Sequence, residues 1–157
     1  MTFLESYVEG AFVPKEFFVT GFSMGGHVTW DMLANDSRVS AGVIISGSPD
    51  LSAMLKERLS IHRGDSEGLL EGASEWPTSI AKLYVARDRR LEGMTGKKLL
   101  LLHGTNDALV PLKFVTPWIE RFGGNNDVVL IQKEETGHWV SRAMMDDMTN
   151  WILDVVA

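Results

Sequence analysis

The sequence contains no cysteine, which excludes both a disulfide framework and a thiolate metal site. It also lacks any concentration of positive charge: 15 lysine and arginine residues are scattered along the chain and are outnumbered by 21 acidic residues, giving a formal charge of -6. Because phosphate binding needs lysine and arginine side chains gathered on one surface, we expect no nucleic-acid partner.

Long apolar runs are absent as well, since no run approaches the ~18 residues that a membrane-spanning helix needs. The first residues carry Glu5 and Glu9, where a signal peptide would need a basic start and an unbroken apolar stretch. We therefore expect no membrane partner and a cytoplasmic location. A chain of 157 residues, 45% hydrophobic and 23% charged, predicts a single globular domain with a hydrophobic core.

Short apolar runs alternate along the chain with segments of helical periodicity, a pattern typical of α/β proteins whose parallel strands are joined by helices. Buried strands are predicted at four segments, namely 16–22, 41–49, 97–104 and 126–134. A helix is predicted after the first strand, with Val28, Met32 and Leu33 on its buried stripe, and an amphipathic helix is predicted over 141–157. Residues 1–10 are interpreted as the end of a helix.

Residues 50–96 separate the second and third predicted strands and form an unusually long crossover. Two helix-like segments, 51–60 and 76–94, flank a stretch rich in glycine, serine and acidic residues. One interpretation is a two-helix cap of the kind in which substrate selection is often built. The alternative is a surface excursion that does not contact substrate.

The segment Gly21-Phe22-Ser23-Met24-Gly25 matches the pattern G-x-S-x-G at a predicted strand-to-helix turn. A serine at such a turn adopts strained backbone angles that expose its hydroxyl, and the following helix directs free N–H groups to the same point. Ser23 could instead be an ordinary helix N-cap, although that leaves the flanking glycines unexplained. A phosphate-binding loop is a further alternative, but no lysine follows the glycines.

A nucleophilic serine needs a base, and the base needs a carboxylate to orient it. Asp107 follows the third predicted strand in "HGTNDALVP", and His138 follows the fourth in "TGHW". All three side chains would then lie beyond the carboxyl ends of parallel strands, where open α/β sheets place their sites. Asp107 could instead cap its own turn, and three other histidines compete for the role of base, namely His27, His62 and His103.

The motifs "GFSMGGH", "HGTNDALVP" and "TGHW", taken in this order, resemble the α/β-hydrolase superfamily. The esterase and prolyl-oligopeptidase-like branch, with its dienelactone-hydrolase-like and carboxylesterase proteins, is the most similar, from about residue 11 to the C-terminus. The resemblance implies a truncated α/β-hydrolase fold of about four parallel strands with flanking helices. Residues 1–157 would form one partial domain with a cap-like insertion at 50–96.

The resemblance also implies roles for individual residues. Ser23 would be the nucleophile, His138 the general base, Asp107 the orienting acid and the backbone N–H of Met24 one oxyanion donor, while Asp50 is the alternative acid. This chemistry requires no metal and no organic cofactor. Aromatic side chains are predicted to line an apolar substrate pocket, with packing in the core as the alternative, and these are Trp76, Tyr84 and Trp139.

In the resembled family, further strands precede the serine turn, and a loop among them carries the second oxyanion donor; we expect no counterpart of either in this sequence. The strand 16–22 would then be an exposed apolar edge, open to a homodimer or a complementary chain. Three hypotheses follow: a serine hydrolase of small esters, thioesters or amides; a catalytically impaired half-domain that needs a partner chain; and a non-catalytic binding or interaction module.

Overall fold

The computed structural model describes residues 16–64 and 78–157. The predicted helix end at residues 1–10 lies outside this part. The described strands are β1 (Phe17–Phe22), β2 (Val39–Ile45), β3 (Lys98–Gly104) and β4 (Asp127–Lys133). The described helices are α1 (Met24–Asn35), α2 (Leu51–Gly64), α3 (Thr78–Glu92), α4 (Thr116–Phe122) and α5 (Arg142–Val156).

The four strands form one parallel sheet in the order β1-β2-β3-β4. β2 and β3 are buried almost throughout, as expected for central parallel strands whose two faces are both covered. The outer strands β1 and β4 are only partly buried. The predicted α/β class, the four strands and their parallel arrangement are confirmed, and all carboxyl ends meet at one edge of the sheet.

Helices cover both faces of the sheet. On one face, Trp30 and Leu33 of α1 pack with Leu91 and with Trp118 of α4, and the two indole rings meet edge to face with centroids 4.7 Å apart. On the other face, Met144 of α5 is buried against β2 and β3. The predicted amphipathic helix at the C-terminal end is therefore confirmed.

The predicted buried stripe of α1 was wrong in one position. Val28 is 48% exposed, whereas Trp30 is fully buried. The helix begins at Met24, directly after the turn, and this start sets which residues meet the sheet. The buried side of α1 therefore consists of Gly26, His27, Thr29, Trp30 and Leu33.

The long segment between β2 and β3 contains α2 and α3. α3 packs against α1, and its residue Leu91 belongs to the core, so this helix serves as the crossover between the two strands. α2 packs against α3, and its residues Leu51 and Met54 form a small apolar cluster with Val110. The link at 65–77 lies outside the described residues, and the cap interpretation of 50–96 stays a prediction.

β1 lies at the edge of the described sheet, and Phe18 on this strand is 39% exposed. An apolar groove beside it is lined by Phe18, Val19, Thr20, Gly42, Val43, Trp151 and Ile152. Association with another chain through 16–22 stays a prediction.

Among the helices that the structure describes, none combines the length and the apolar character needed to cross a membrane.

A buried guanidinium group joins α1, α3 and the loop between β2 and α2. Arg87, 5% exposed, donates to Asp31 Oδ1 at 2.8 Å and to Asp88 Oδ1 at 2.8 Å. It also donates to the backbone carbonyls of Pro49 and His27, each at 3.0 Å. The Asp88 carboxylate in turn accepts from two backbone N–H groups at the start of α2. One side chain thus holds together the elements behind the serine turn.

We predict that Arg87→Met lowers the free energy of unfolding by about 3 kcal/mol, because the buried carbonyls and the Asp88 carboxylate lose their donor. Arg142→Met is the matched control, since the Arg142–Asp146 pair is exposed on both sides and such pairs contribute little. Urea denaturation of both variants measures the difference. Equal unfolding midpoints for the two variants would contradict the structural role of Arg87.

Candidate active site

Ser23 stands between β1 and α1 in a backbone conformation that non-glycine residues rarely adopt, with φ 55° and ψ −114°. Its N–H donates to the carbonyl oxygen of Ile45 at 2.9 Å, and its own carbonyl accepts from the N–H of His27 at 3.0 Å. β2 and the first turn of α1 therefore hold the strained turn from two sides. This geometry places Ser23 at the carboxyl edge of the sheet.

The two glycines of the G-x-S-x-G pattern have different roles. A Cβ atom on Gly21 would lie 2.2 Å from the carbonyl oxygen of Gly25, a distance that the backbone cannot accommodate. A Cβ atom on Gly25 would meet nothing within 4 Å. The close passage of strand and helix thus requires glycine at position 21, whereas position 25 contributes backbone atoms that alanine would also supply.

The structure brings together the three side chains that the motifs predicted. Nε2 of His138 lies 2.8 Å from Oγ of Ser23, and Nδ1 lies 2.9 Å and 3.0 Å from the two carboxylate oxygens of Asp107. Since a carboxylate only accepts, Nδ1 carries the hydrogen, which leaves Nε2 of the neutral ring as the acceptor for the Ser23 hydroxyl. The Phe22 ring packs against the imidazole, with centroids 4.9 Å apart.

The loops of Asp107 and His138 interlock through their backbones. A Cβ atom on Gly104 would lie 2.1 Å from the carbonyl oxygen of Thr136, and the N–H of Asn106 donates to that same oxygen at 2.9 Å. The absence of a side chain at Gly104 therefore lets the loop after β4 cross the end of β3. This crossing carries His138 to Asp107.

Asp107 is held as an anion. Its Oδ1 accepts from the N–H groups of Leu109 and Val110, at 3.0 Å and 2.9 Å. Burial by itself would raise the pKa of this carboxyl, but the hydrogen bonds from Val110 and His138 outweigh it, so the pKa lies below its ordinary value. An ionised Asp107 can fix the imidazole and stabilise its charged form.

The alternative acid Asp50 and the alternative base His27 have other partners, and the alternative base His103 contacts the carbonyl oxygen of Val110. Asp50 accepts from the N–H of Ala53 at 3.0 Å, near the start of α2. Nδ1 of His27 accepts from the N–H of Ser48 at 3.0 Å, and burial lowers its pKa to about 4. The side chain of His62 lies outside the described part.

Within residues 16–64 and 78–157, no group of three acidic or histidine side chains is arranged to hold a metal ion.

The remaining predicted site residues have different surroundings. Met24 is the first residue of α1, where backbone N–H groups have no acceptor within the helix. Trp139 follows His138 and is 53% exposed. Tyr84 is partly buried against the apolar cluster of Leu51, Met54 and Val110. Trp76 lies outside the described residues, so its predicted role has no structural counterpart.

Two further residues with positive φ lie at the same edge, and neither was predicted from the sequence. Ser46 directly follows β2 with φ 49°, and Glu135 follows β4 with φ 53°. Ser46 is fully buried, and its N–H donates to the carbonyl oxygen of Leu102 at 2.9 Å. Neither residue belongs to a recognisable motif, so only their backbone angles reveal them.

Solved structures of known proteins are similar to this chain in fold. No protein-family model and no curated protein matches the sequence. Among solved structures, acetyl xylan esterase 1 from Thermoanaerobacterium sp. JW/SL YS485 is similar with a TM-score of 0.67 at 16% identity, covering 98% of this chain and 50% of that one. Acyl-protein thioesterase 2 from Zea mays is similar with a TM-score of 0.58 at 18% identity, covering 99% of this chain and 63% of that one.

The acylaminoacyl peptidase from Pyrococcus horikoshii gives a TM-score of 0.65 at 17% identity, covering 95% of this chain and 25% of that one. The chain spans about half the length of several of the esterases it matches. For esterase PE8, it covers 55% of that protein's chain. These matches identify the fold as the α/β-hydrolase fold, represented here by four parallel strands with flanking helices.

We predict that Gly21→Ala destabilises the chain by about 2 kcal/mol or more, because strand and helix must separate to admit the Cβ atom. Gly25→Ala should leave stability unchanged or raise it by up to about 1 kcal/mol, since alanine is the better helix residue and has room. Thermal unfolding of the two variants provides the comparison. The account of the turn fails if both substitutions cost the same.

Proposed function

We propose that this chain is a serine hydrolase that cleaves a small ester, thioester or amide through an acyl-enzyme on Ser23. The observation that carries the proposal is the 2.8 Å contact between Oγ of Ser23 and Nε2 of His138, with Asp107 on the other ring nitrogen. The esterase, thioesterase and peptidase neighbours support a hydrolase of the α/β class.

In the first half of the reaction, Oγ of Ser23 attacks the carbonyl carbon of the substrate while its proton passes to Nε2 of His138. The charged imidazole is stabilised by the Asp107 carboxylate. The tetrahedral intermediate then collapses: the bond to the leaving group breaks, and His138 returns the proton to the departing oxygen, sulfur or nitrogen. Ser23 is left acylated.

In the second half, a water molecule attacks the acyl carbon and gives one proton to Nε2 of His138. The new tetrahedral intermediate releases the carboxylic acid when the bond to Oγ breaks, and the proton on His138 returns to Ser23. In both halves the negative oxygen of the intermediate accepts from the backbone N–H of Met24. The positive end of α1 favours the same charge.

The exposed apolar side chains beside the three candidate residues support a substrate with an apolar group. Each candidate residue has one within two positions along the chain: Met24 is 73% exposed, Leu109 is 56% exposed and Trp139 is 53% exposed. Large exposed apolar side chains around a reactive group are typical of surfaces that receive a ligand or partner. We therefore propose an acyl or leaving group with apolar surface, contacted by Trp139.

We predict that a fluorophosphonate probe labels the wild-type chain at one site and does not label Ser23→Ala. Asp107→Asn should slow the labelling by about 10³-fold or more, since the imidazole loses the partner that fixes its tautomer. Intact-mass spectrometry after timed incubation measures both effects.

Circular dichroism of each variant is the control for folding. Labelling that persists in Ser23→Ala would contradict the assignment of the nucleophile. A folded wild-type chain that never reacts would favour the other two hypotheses, a half-domain that needs a partner chain or a non-catalytic binding module, and light scattering on that sample would test the first of them.

We predict that Trp139→Ala raises KM for p-nitrophenyl butyrate more than for p-nitrophenyl acetate, because the longer acyl chain loses more apolar contact. One additional methylene in such a pocket corresponds to roughly 1 kcal/mol. Val129→Ala is the matched control, since Val129 is also exposed but belongs to β4, away from the carboxyl edge. An equal change in KM for the two esters would argue against a substrate-binding role for Trp139.

A further inference from the structure

The loop that carries Asp107 is fixed to the sheet by a second histidine. Asp107 accepts from the N–H of Val110, which closes the loop on itself. The carbonyl oxygen of the same residue lies 2.6 Å from Nε2 of His103, which belongs to β3. Val110 thus uses its N–H to hold the carboxylate and its C=O to reach the strand.

The direction of this hydrogen bond defines the state of His103. A carbonyl oxygen only accepts, so Nε2 of His103 carries the hydrogen and donates it. The residue is 1% exposed, and burial lowers its pKa, so the ring stays neutral. The neutral ring with hydrogen on Nε2 is the form that the contact with Val110 requires.

His103 lies close to Asp107 without binding it. Nε2 of His103 is 4.0 Å from Oδ2 of Asp107, beyond hydrogen-bond distance, whereas Nδ1 of His138 is 2.9 Å from the same oxygen. A charged His103 would compete with His138 for this carboxylate, because opposite charges attract strongly at such a distance in a buried site. A neutral His103 leaves the carboxylate to His138.

We propose that His103 is a positioning residue that holds the Val110 carbonyl and thereby keeps the Asp107 carboxylate facing Nδ1 of His138. The inference rests on the proposed function, in which Asp107 orients the base. It goes beyond that function because a residue other than Ser23, Asp107 and His138 is given a role in positioning the Asp107 carboxylate. A small displacement of an orienting group costs up to about 10²-fold in rate.

The test compares two variants of one position. His103→Gln can keep an N–H donor near Nε2, whereas His103→Leu fills a similar volume and leaves the Val110 carbonyl unpaired. We expect His103→Leu to lower the maximal rate of fluorophosphonate labelling, kinact, by about 10- to 100-fold with KI unchanged. We expect His103→Gln to restore kinact to within about threefold of the wild-type value.

A second readout does not depend on activity. The N–H on Nδ1 of His138 donates to the Asp107 carboxylate, and the low-field resonance of this proton reports that contact. The resonance should be present in wild type and His103→Gln and lost or shifted in His103→Leu. His27→Leu is the matched control, because it removes another buried histidine, 7% exposed; it should lower stability and leave the resonance in place.

The outcomes separate the inference from the proposed function. A wild-type chain that shows the resonance but is never labelled contradicts the proposed function, while the comparison of resonances still tests His103. Unchanged kinact and resonance in His103→Leu would overturn the inference, as would equal losses in the Leu and Gln variants. If His103→Leu does not fold, a native resonance in His103→Gln supports the inference and its loss overturns it.

Discussion

The strained turn at Ser23 is the constraint on which the rest of the site depends. Its φ of 55° exposes the hydroxyl only if β1 and α1 pass each other closely, and a Cβ atom at Gly21, 2.2 Å from the carbonyl oxygen of Gly25, would prevent that passage. Such a conformation persists only where its surroundings determine it. Here the carbonyl of Ile45 binds the Ser23 N–H, and Arg87 secures α1 from behind. The position of the hydroxyl thus results from packing that extends well beyond the motif.

The site also depends on the parallel sheet, because the sheet places distant parts of the chain at one edge. Ser23 and His138 are separated by 115 positions, yet their side chains meet at 2.8 Å. The crossing at Gly104, where a Cβ atom would lie 2.1 Å from the Thr136 carbonyl, holds the loop of Asp107 against the loop of His138. The two close backbone passages therefore have equivalent effects: one positions Ser23, and the other brings His138 to Asp107.

The strands and the terminal helix could be predicted because their signals are local: continuous apolar runs for the strands and helical periodicity for α5. The seven-residue α4 was missed, since so short a segment shows little periodicity. The three motif residues were likewise readable from local patterns. His103 was not, because its contact with the Val110 carbonyl exists only once the loop has folded back on β3. Arg87, a residue type usually exposed, is buried only because several elements converge on it.

Hydrogen bonding sets the charge of Asp107, whereas burial keeps the nearby histidine His103 neutral. Burial disfavours the charged form of every group there, and it lowers the pKa of both His27 and His103. Asp107 is fully buried as a side chain and yet has a lowered pKa, because backbone N–H groups and His138 donate to it. The fold thus surrounds the Asp107 anion with fixed donors and places the neutral ring of His103 beside it. Since His103 carries no competing positive charge, the field of the carboxylate acts on His138, the ring that contacts Ser23.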